Sequence, residues 1–481
     1  MTNSHTPERQ LHDAVVVVPG IMGSALRDVE NDTPLWGVRR VFQYSTRMYA
    51  DKLRALAVTD AERAGETGRI EATGILNVAD WFPGLGKAQP YNDLVSKLRQ
   101  AALHRTAVLP FAYDWRLSVA HNGALLAREV RRHLDAWRAH GLHRRFLAEH
   151  PELGPAKVIF VAHSMGGLLA REVLHHGGLK DDVRAVMTVG TPFGGSVNAA
   201  LMLNAGKGGP GLLPPSVLSE ITPTMPGLYD LLPSYRCREY GTDMRAPDVD
   251  DVVALGGRRD LAEASADWRA SRHDTLLPEH VMVVGTGQRT WQSYRLNAGA
   301  AVGQRHMIRR DGDRPVLDEN GHPRTEDRKG DGTVYRFAAH LPGSDARAID
   351  VYQEHSALAR SESVIDMACG MLSGLRHRDE LGSMLGAGEF ELHTPEWADP
   401  DTAFTIEVGD APHSADLECV VREVSGLDTV LYPALKPVRG TEDAWAATCL
   451  PDRPGLYEVE VRGGVEPMRR LVPVLAPEQH G

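Results

Sequence analysis

Cysteine is nearly absent. Four residues in 481 (Cys237, Cys369, Cys419 and Cys449) are too few and too scattered for a disulfide scaffold or a zinc site. Cys419 and Cys449 could meet across a C-terminal sheet, although two buried thiols is the simpler expectation. Lysine is also scarce, 8 residues against 45 arginines, a bias associated with GC-rich bacterial genomes. No run approaches the roughly 18 uninterrupted apolar residues of a membrane helix. The opening MTNSHTPERQLHD is polar and carries acids, with neither the apolar stretch nor the cleavage site of a signal peptide. A reducing cytoplasm is therefore the expected location. Basic excess is missing too, and a net charge of −11 argues against nucleic acid as a general partner. The one dense basic run, residues 128–145, falls where Val119, Leu126, Val130, Leu134 and Trp137 recur at helical spacing. Its arginines are expected to form the solvated side of a helix rather than a membrane patch.

What remains is the composition of a globular protein, 42% apolar and 24% charged, long enough for two or three domains. Short β-branched runs at 14–18, 106–111, 157–162, 183–189, 281–284 and 348–352 alternate with helical patterns near 91–103, 118–139 and 166–176. Continuous apolar strands with helices between them predict a parallel α/β sheet covered on both faces. Residues 196–278 interrupt this rhythm; their Gly, Pro, Leu and Met content predicts an inserted cap. Residues 303–330 are polar, with turn signals at Asp311-Gly312 and Asn320-Gly321 and another just beyond at Gly330-Asp331-Gly332, as in a hairpin excursion. Asp311, Asp313, Asp318 and Glu319 do not keep the EF-hand pattern, so surface turns and no metal are expected there. After about residue 385 come FTIEV, LECVVREV, AWAATCL, LYEVEVRG and MRRLVPVL. Such short strands split by Pro, Gly and Asp predict an all-β sandwich. The expected organisation is an α/β domain over 1–385 and a β-sandwich over 386–481.

Chemistry concentrates at VIFVAHSMGGLL, residues 158–169. A serine hydroxyl needs a base and oxyanion donors to act as a nucleophile. A sharp strand-to-helix turn supplies the exposure. Ala162 and Gly166 are the small residues flanking Ser164, giving A-x-S-x-G in place of G-x-S-x-G. In the hydrolase chain order an acid and then a histidine should follow, each at the end of a strand. His355 follows the run 348–352 and precedes a helix-like stretch. His340 is its rival, and His163 should be turned away by the elbow. The acid is open between Asp331, in a tight Gly-Asp-Gly turn, and Asp327 or Asp274. Oxyanion donors are expected at the backbone N–H of Met165 and of Ile21, in the Pro19-Gly20-Ile21-Met22-Gly23-Ser24 loop. That loop lacks both the G-x-G-x-x-G and the Walker A patterns of phosphate binders.

Taken in order, VVVVPGIMGSAL with PLWG, FAYDWR, VAHSMGGLLAR, TPFGGS, MPGLYDLLPS, GDGTV and EHSAL resemble the lecithin:cholesterol acyltransferase and lysosomal phospholipase A2 family over roughly residues 14–370. The resemblance implies an α/β-hydrolase fold with a cap and a triad of Ser164, Asp331 and His355. It also implies oxyanion donors at Ile21 and Met165, and a structural Asp114–Arg116 ion pair near the site. No metal or organic cofactor is implied. Eukaryotic members carry signals and lid disulfides that this chain lacks, so the reaction class transfers better than the substrate. The C-terminal β region lies outside the resemblance.

The expected function is a serine hydrolase of lipid esters, of lipase, phospholipase A or lysophospholipase type. An acyltransferase to an alcohol acceptor is the close alternative. Leu212, Leu213, Leu228, Leu231 and Leu232 of the cap would suit an acyl chain. A different class of reading makes the hydrolase core a non-catalytic scaffold whose sandwich docks a protein partner. A third holds a lipase off until a partner binds the sandwich, in which case deleting residues after about 385 should raise activity.

Overall fold

The computed structural model describes residues 12–37, 53–76, 91–205, 215–372, 384–385, 390–395, 397–411, 415–423, 429–464 and 466–474. Its centre is a parallel sheet of β1 (Ala14–Val18), β2 (Val108–Pro110), β3 (Val158–His163), β4 (Val183–Val189), β5 (Val281–Gly285), β6 (Ala348–Val351) and β7 (Met384–Leu385). The spatial order is β7-β6-β5-β4-β3-β1-β2. Every residue of β1 and β3 is buried, because helices cover both faces of a parallel sheet and leave no wet side for polar alternation. Register follows the apolar runs: Val16 lies between Leu109 on one side and Phe160 on the other.

Helix α1 (Asn92–Ala101) precedes β2, and α2 (Val119–Ala139) precedes β3. Ser118 caps α2 by accepting from the His121 N–H, satisfying one of the open amides of the first turn. The buried face of α2 carries Val119, Leu126, Val130, Leu134 and Trp137, whereas Arg128, Arg131 and Arg132 stand in solvent. The helix ends at Ala139, and Arg144 and Arg145 belong to a separate helix, Gly141–Glu149. Among the described residues no helix is long and apolar enough to cross a membrane.

The 196–278 insertion forms α4 (Val197–Leu203) and α5 (Arg259–Arg272) with shorter helices between them and a small hairpin, Arg238–Tyr240 with Asp243–Arg245. The cap is locked to α3 (Met165–Val173), the helix that follows Ser164. Buried Glu172 accepts from Trp268 Nε1 at 2.9 Å and from Arg272 Nε and Nη2 at 2.7 and 2.8 Å. Two small sheets went unanticipated: the antiparallel Ser24–Asp28 with Thr33–Trp36 and Ile70–Ile75, and Ser293–Asn297, which pairs antiparallel with Ala300–Gln304 and parallel with Arg238–Tyr240 of the hairpin. Their strands are short and half polar, which gives no buried run to read. The polar excursion does contain hairpins, pairing Arg310–Asp311 with Arg314–Pro315 and Met307–Ile308 with Thr325–Glu326.

The C-terminal region forms two four-stranded antiparallel sheets. One is β8 (Glu391–His393), β9 (Phe404–Gly409), β13 (Trp445–Cys449) and β12 (Lys436–Pro437); the other is β11 (Val430–Leu431), β10 (Glu418–Glu423), β14 (Gly455–Arg462) and β15 (Met468–Val474). They enclose a core of their own, including Ile406, Val421, Tyr457, Val459 and Val472. Cys419 and Cys449 are free, buried thiols within it, and burial pushes their pKa values up to about 12 and about 11.

Candidate active site

Strand β3 ends at His163, and Ser164 follows with φ 54° and ψ −127° before α3 begins at Met165. Positive φ in a residue with a Cβ stores about 1–3 kcal/mol of strain. Two hydrogen bonds hold it: Ser164 N–H donates to Val189 O at 2.8 Å, and Gly167 N–H donates to Ser164 O at 3.0 Å. The turn also requires a close approach, since a Cβ on Gly166 would lie 2.4 Å from Val18 O. Ala162 is fully buried, with Val18 and Thr188 as its register neighbours, and its methyl is accommodated there.

The sheet brings Ser164, His355 and Asp331 together. Ser164 Oγ lies 2.9 Å from His355 Nε2, and His355 Nδ1 lies 2.7 Å from Asp331 Oδ2. The carboxylate can only accept, so Nδ1 carries the proton and Nε2 is left to receive one from the serine. The other oxygen of Asp331 accepts from the N–H groups of Thr333 and Val334, at 2.9 and 2.7 Å. His355 N–H also donates to Asp331 O at 2.8 Å, tying the two turns. Burial opposes charge on His355, but the charge and hydrogen bond of Asp331 outweigh it and hold the imidazole pKa above its ordinary value. The rivals lie elsewhere. His340 bonds Arg336 O and stacks on Phe337, Asp327 accepts from Gln292, and Asp274 is a fully exposed partner of His273.

The loop after β1 passes close to the serine: a Cβ on Gly20 would lie 2.8 Å from Ser164 Cβ. Among the described residues no acceptor takes the N–H of Ile21 or of Met165. The FAYDWR stretch braces this loop. Tyr113 Oη donates to Pro19 O at 3.0 Å and Trp115 Nε1 to Ser24 O at 3.2 Å, while Trp36 Nε1 donates to Met22 O at 2.9 Å. Asp114 and Arg116 do pair, with Arg116 Nε and Nη2 at 2.9 and 2.6 Å from the carboxylate. Glu62 joins them at 2.9 Å, a partner the sequence did not disclose. Burial raises the pKa of Glu62, but Arg69, the Thr59 amide and Arg116 together hold it down at about 2.

His163 departs from expectation. Its ring is not turned away from the site but lies with its centroid 4.9 Å from that of His355. His163 Nε2 is 3.0 Å from His355 O, a carbonyl that can only accept, so Nε2 bears the proton. His163 Nδ1 must then accept from Tyr91 Oη at 2.8 Å, and Tyr91 Oη in turn accepts from Gly20 N–H at 3.0 Å. The chain of bonds joins the Ile21 loop to the backbone of His355. Burial, with help from the His355 charge, pulls the His163 pKa down to about 3, so this imidazole stays neutral. Neither Tyr91 nor its role was legible: no motif marks a tyrosine 72 residues before the histidine it meets.

Ser164 and His355 open on a cavity of about 430 Å³ lined almost wholly by apolar groups. Leu228 and Leu231 of the cap line it, together with Met202 of α4 and Ile21. Leu232 does not; its carbonyl packs against Gly195, where a Cβ would come within 2.1 Å. Leu212 and Leu213 lie outside the described residues. Missed altogether were Leu456, Leu471 and Pro473, which reach the cavity from β14 and β15.

A parallel sheet with a left-handed serine turn at the end of β3 and a cap inserted after β4 defines an α/β-hydrolase fold. Within that class, residues 68–254 match the lecithin:cholesterol acyltransferase family, so the resemblance carried by the motifs is found again by comparison. Among solved structures, the Tle4–Tli4 complex contains a chain 15% identical, with 76% of this chain and 99% of that one covered at a TM-score of 0.44. The mature form of Bacillus licheniformis lipase BlEst2 is 16% identical over 77% of this chain and 95% of that one, with a TM-score of 0.29. Its propeptide form is 14% identical over 97% and 73%, with a TM-score of 0.28. Likenesses this distant carry neither fold nor function. No curated protein matches the sequence.

Proposed function

We propose that the protein is a serine hydrolase of lipid carboxylic esters, working through an acyl-enzyme on Ser164. The observation that carries this reading is a serine Oγ 2.9 Å from a carboxylate-bound imidazole, facing an apolar cavity large enough for an acyl chain. The match of residues 68–254 to an acyltransferase family favours acyl chemistry on lipids over other ester substrates. His355 Nε2 takes the proton as Ser164 Oγ attacks the ester carbonyl. Asp331 keeps the imidazole in the required tautomer and stabilises its cation. The N–H groups of Ile21 and Met165 receive the oxyanion. Protonated His355 then gives its proton to the departing alkoxide. A water molecule, deprotonated by His355, attacks the acyl-serine carbonyl, and the fatty acid leaves as Ser164 regains its proton. An acceptor alcohol in place of that water gives acyl transfer with the same residues.

A fluorophosphonate probe tests the reading. Wild-type protein should label and Ser164→Ala should not, with ester turnover falling at least about 10⁴-fold. Well-folded wild type that neither labels nor hydrolyses any fatty acyl ester would end the proposal.

A further inference from the structure

The alternation in β14 is the starting point. Tyr457, Val459 and Val461 point into the sandwich core, so Leu456, Glu458 and Glu460 share the opposite face. In the register of β14 with β15 they stand opposite Pro473, Leu471 and Arg469. At its charged end this outer face meets the hydrolase domain or pairs within the sheet: Glu458 accepts from Arg360 Nη2 at 2.8 Å, and Glu460 accepts from Arg469 Nε at 2.8 Å. At its apolar end Leu456, Leu471 and Pro473 line the same cavity as Ser164 and His355. Leu456 is 2% exposed and stands outside the sandwich's own core, at the cavity.

We infer that the C-terminal sandwich is a wall of the acyl-binding pocket, and that Leu456 and Leu471 set which acyl chains the site accepts. The inference rests on the lipid-ester reading above and assigns the chain-selecting surface within it. The occupant is the acyl group, because the cavity is mostly apolar and Ser164 opens on it. The bonds around the wall keep it in register with the chemistry. Glu466 accepts from Ser361 Oγ at 2.8 Å and Ser363 N–H at 2.7 Å, Gln353 Nε2 donates to Pro467 O at 3.2 Å, and Arg470 Nε lies 3.3 Å from Glu354 Oε1. These contacts grip the chain on both sides of His355.

The test uses the full chain and p-nitrophenyl esters from butanoate to dodecanoate. Leu471→Trp narrows the pocket and should lower the dodecanoate-to-butanoate ratio of kcat/KM by about tenfold or more. Leu456→Ala widens it and should raise that ratio at least about threefold. Tyr432→Ala, at a sandwich position 71% exposed, should leave the ratio where it is. If Leu471→Trp does not fold, Leu456→Ala decides alone. A second arm measures dodecanoate binding by calorimetry in Ser164→Ala protein, which needs no catalysis. Adding Leu471→Trp should weaken it about tenfold. Loss of fluorophosphonate labelling with this binding effect intact would end the hydrolase reading and keep the wall. Ratios and binding unmoved by both leucine variants would overturn the wall itself.

Discussion

At the scale of the residue, the site contains two neighbouring imidazoles with opposite fates. His355 is pushed above its ordinary pKa by Asp331, whereas His163 is pulled to about 3 by burial. His163 therefore stays neutral, while His355, held above its ordinary value, must lose its proton to act as the proposed base. The acid limb of kcat/KM against pH should have a single midpoint above about 6.5. Tyr91→Phe removes the hydroxyl that links Gly20 N–H to His163. It should lower kcat roughly tenfold while leaving that midpoint and KM nearly in place, because it loosens the Ile21 loop without touching the Asp331–His355 pair. A limb that moves with the variant would show that Tyr91 acts on His355 instead. Ser164 and His355 stood out from local signatures, an elbow and the end of a strand, whereas the glycine-flanked turn of Asp331 left Asp327 and Asp274 open and only the family resemblance singled it out. Tyr91, Glu62 and Leu456 were not legible, since their roles exist only across contacts between distant segments. Leu456 was concealed further by its strand, whose alternation reads as a sandwich face with Leu, Glu and Glu turned to water.

At the scale of the element, the elbow helix α3 is fixed from both ends. Gly166 lets it press against the end of β1, and Glu172 binds it to the cap through Trp268 and Arg272. Glu172 is almost fully buried, so its removal leaves the Arg272 guanidinium without its carboxylate. Glu172→Ala should destabilise the protein by about 3 kcal/mol or more, read as a lowered denaturant midpoint, and activity should fall with it. An unchanged midpoint would mean the cap is held by apolar packing alone. The apolar runs announced β1, β3, β4 and the buried face of α2, because a strand buried on both sides and a one-faced helix each leave a period in the sequence. The half-polar strands of the small sheets leave none.

At the scale of the whole molecule, the sequence suggested a hydrolase with an appended sandwich that could act as a brake. In the structure the outer face of the sandwich lines the cavity and its loops grip residues 353–363. A brake and a wall predict opposite signs. Glu466→Ala combined with Arg470→Ala loosens the grip on both sides of His355 and should lower kcat/KM for long-chain esters severalfold. A rise would mean that the sandwich restrains the enzyme. A change of texture near residue 385 set the C-terminal strands apart in the sequence; that they line one cavity with Ser164 was not visible, because nothing local to either stretch records what lies across from it.

The pocket draws on residues from Gly20 near one end of the sequence to Pro473 near the other. Synthesis on the ribosome runs in that order, so the elbow and its acid and base are all made well before the last strand of the wall. A chain released before β14 and β15 thus carries Ser164, Asp331 and His355 without Leu456, Leu471 and Pro473 on the far side of the cavity.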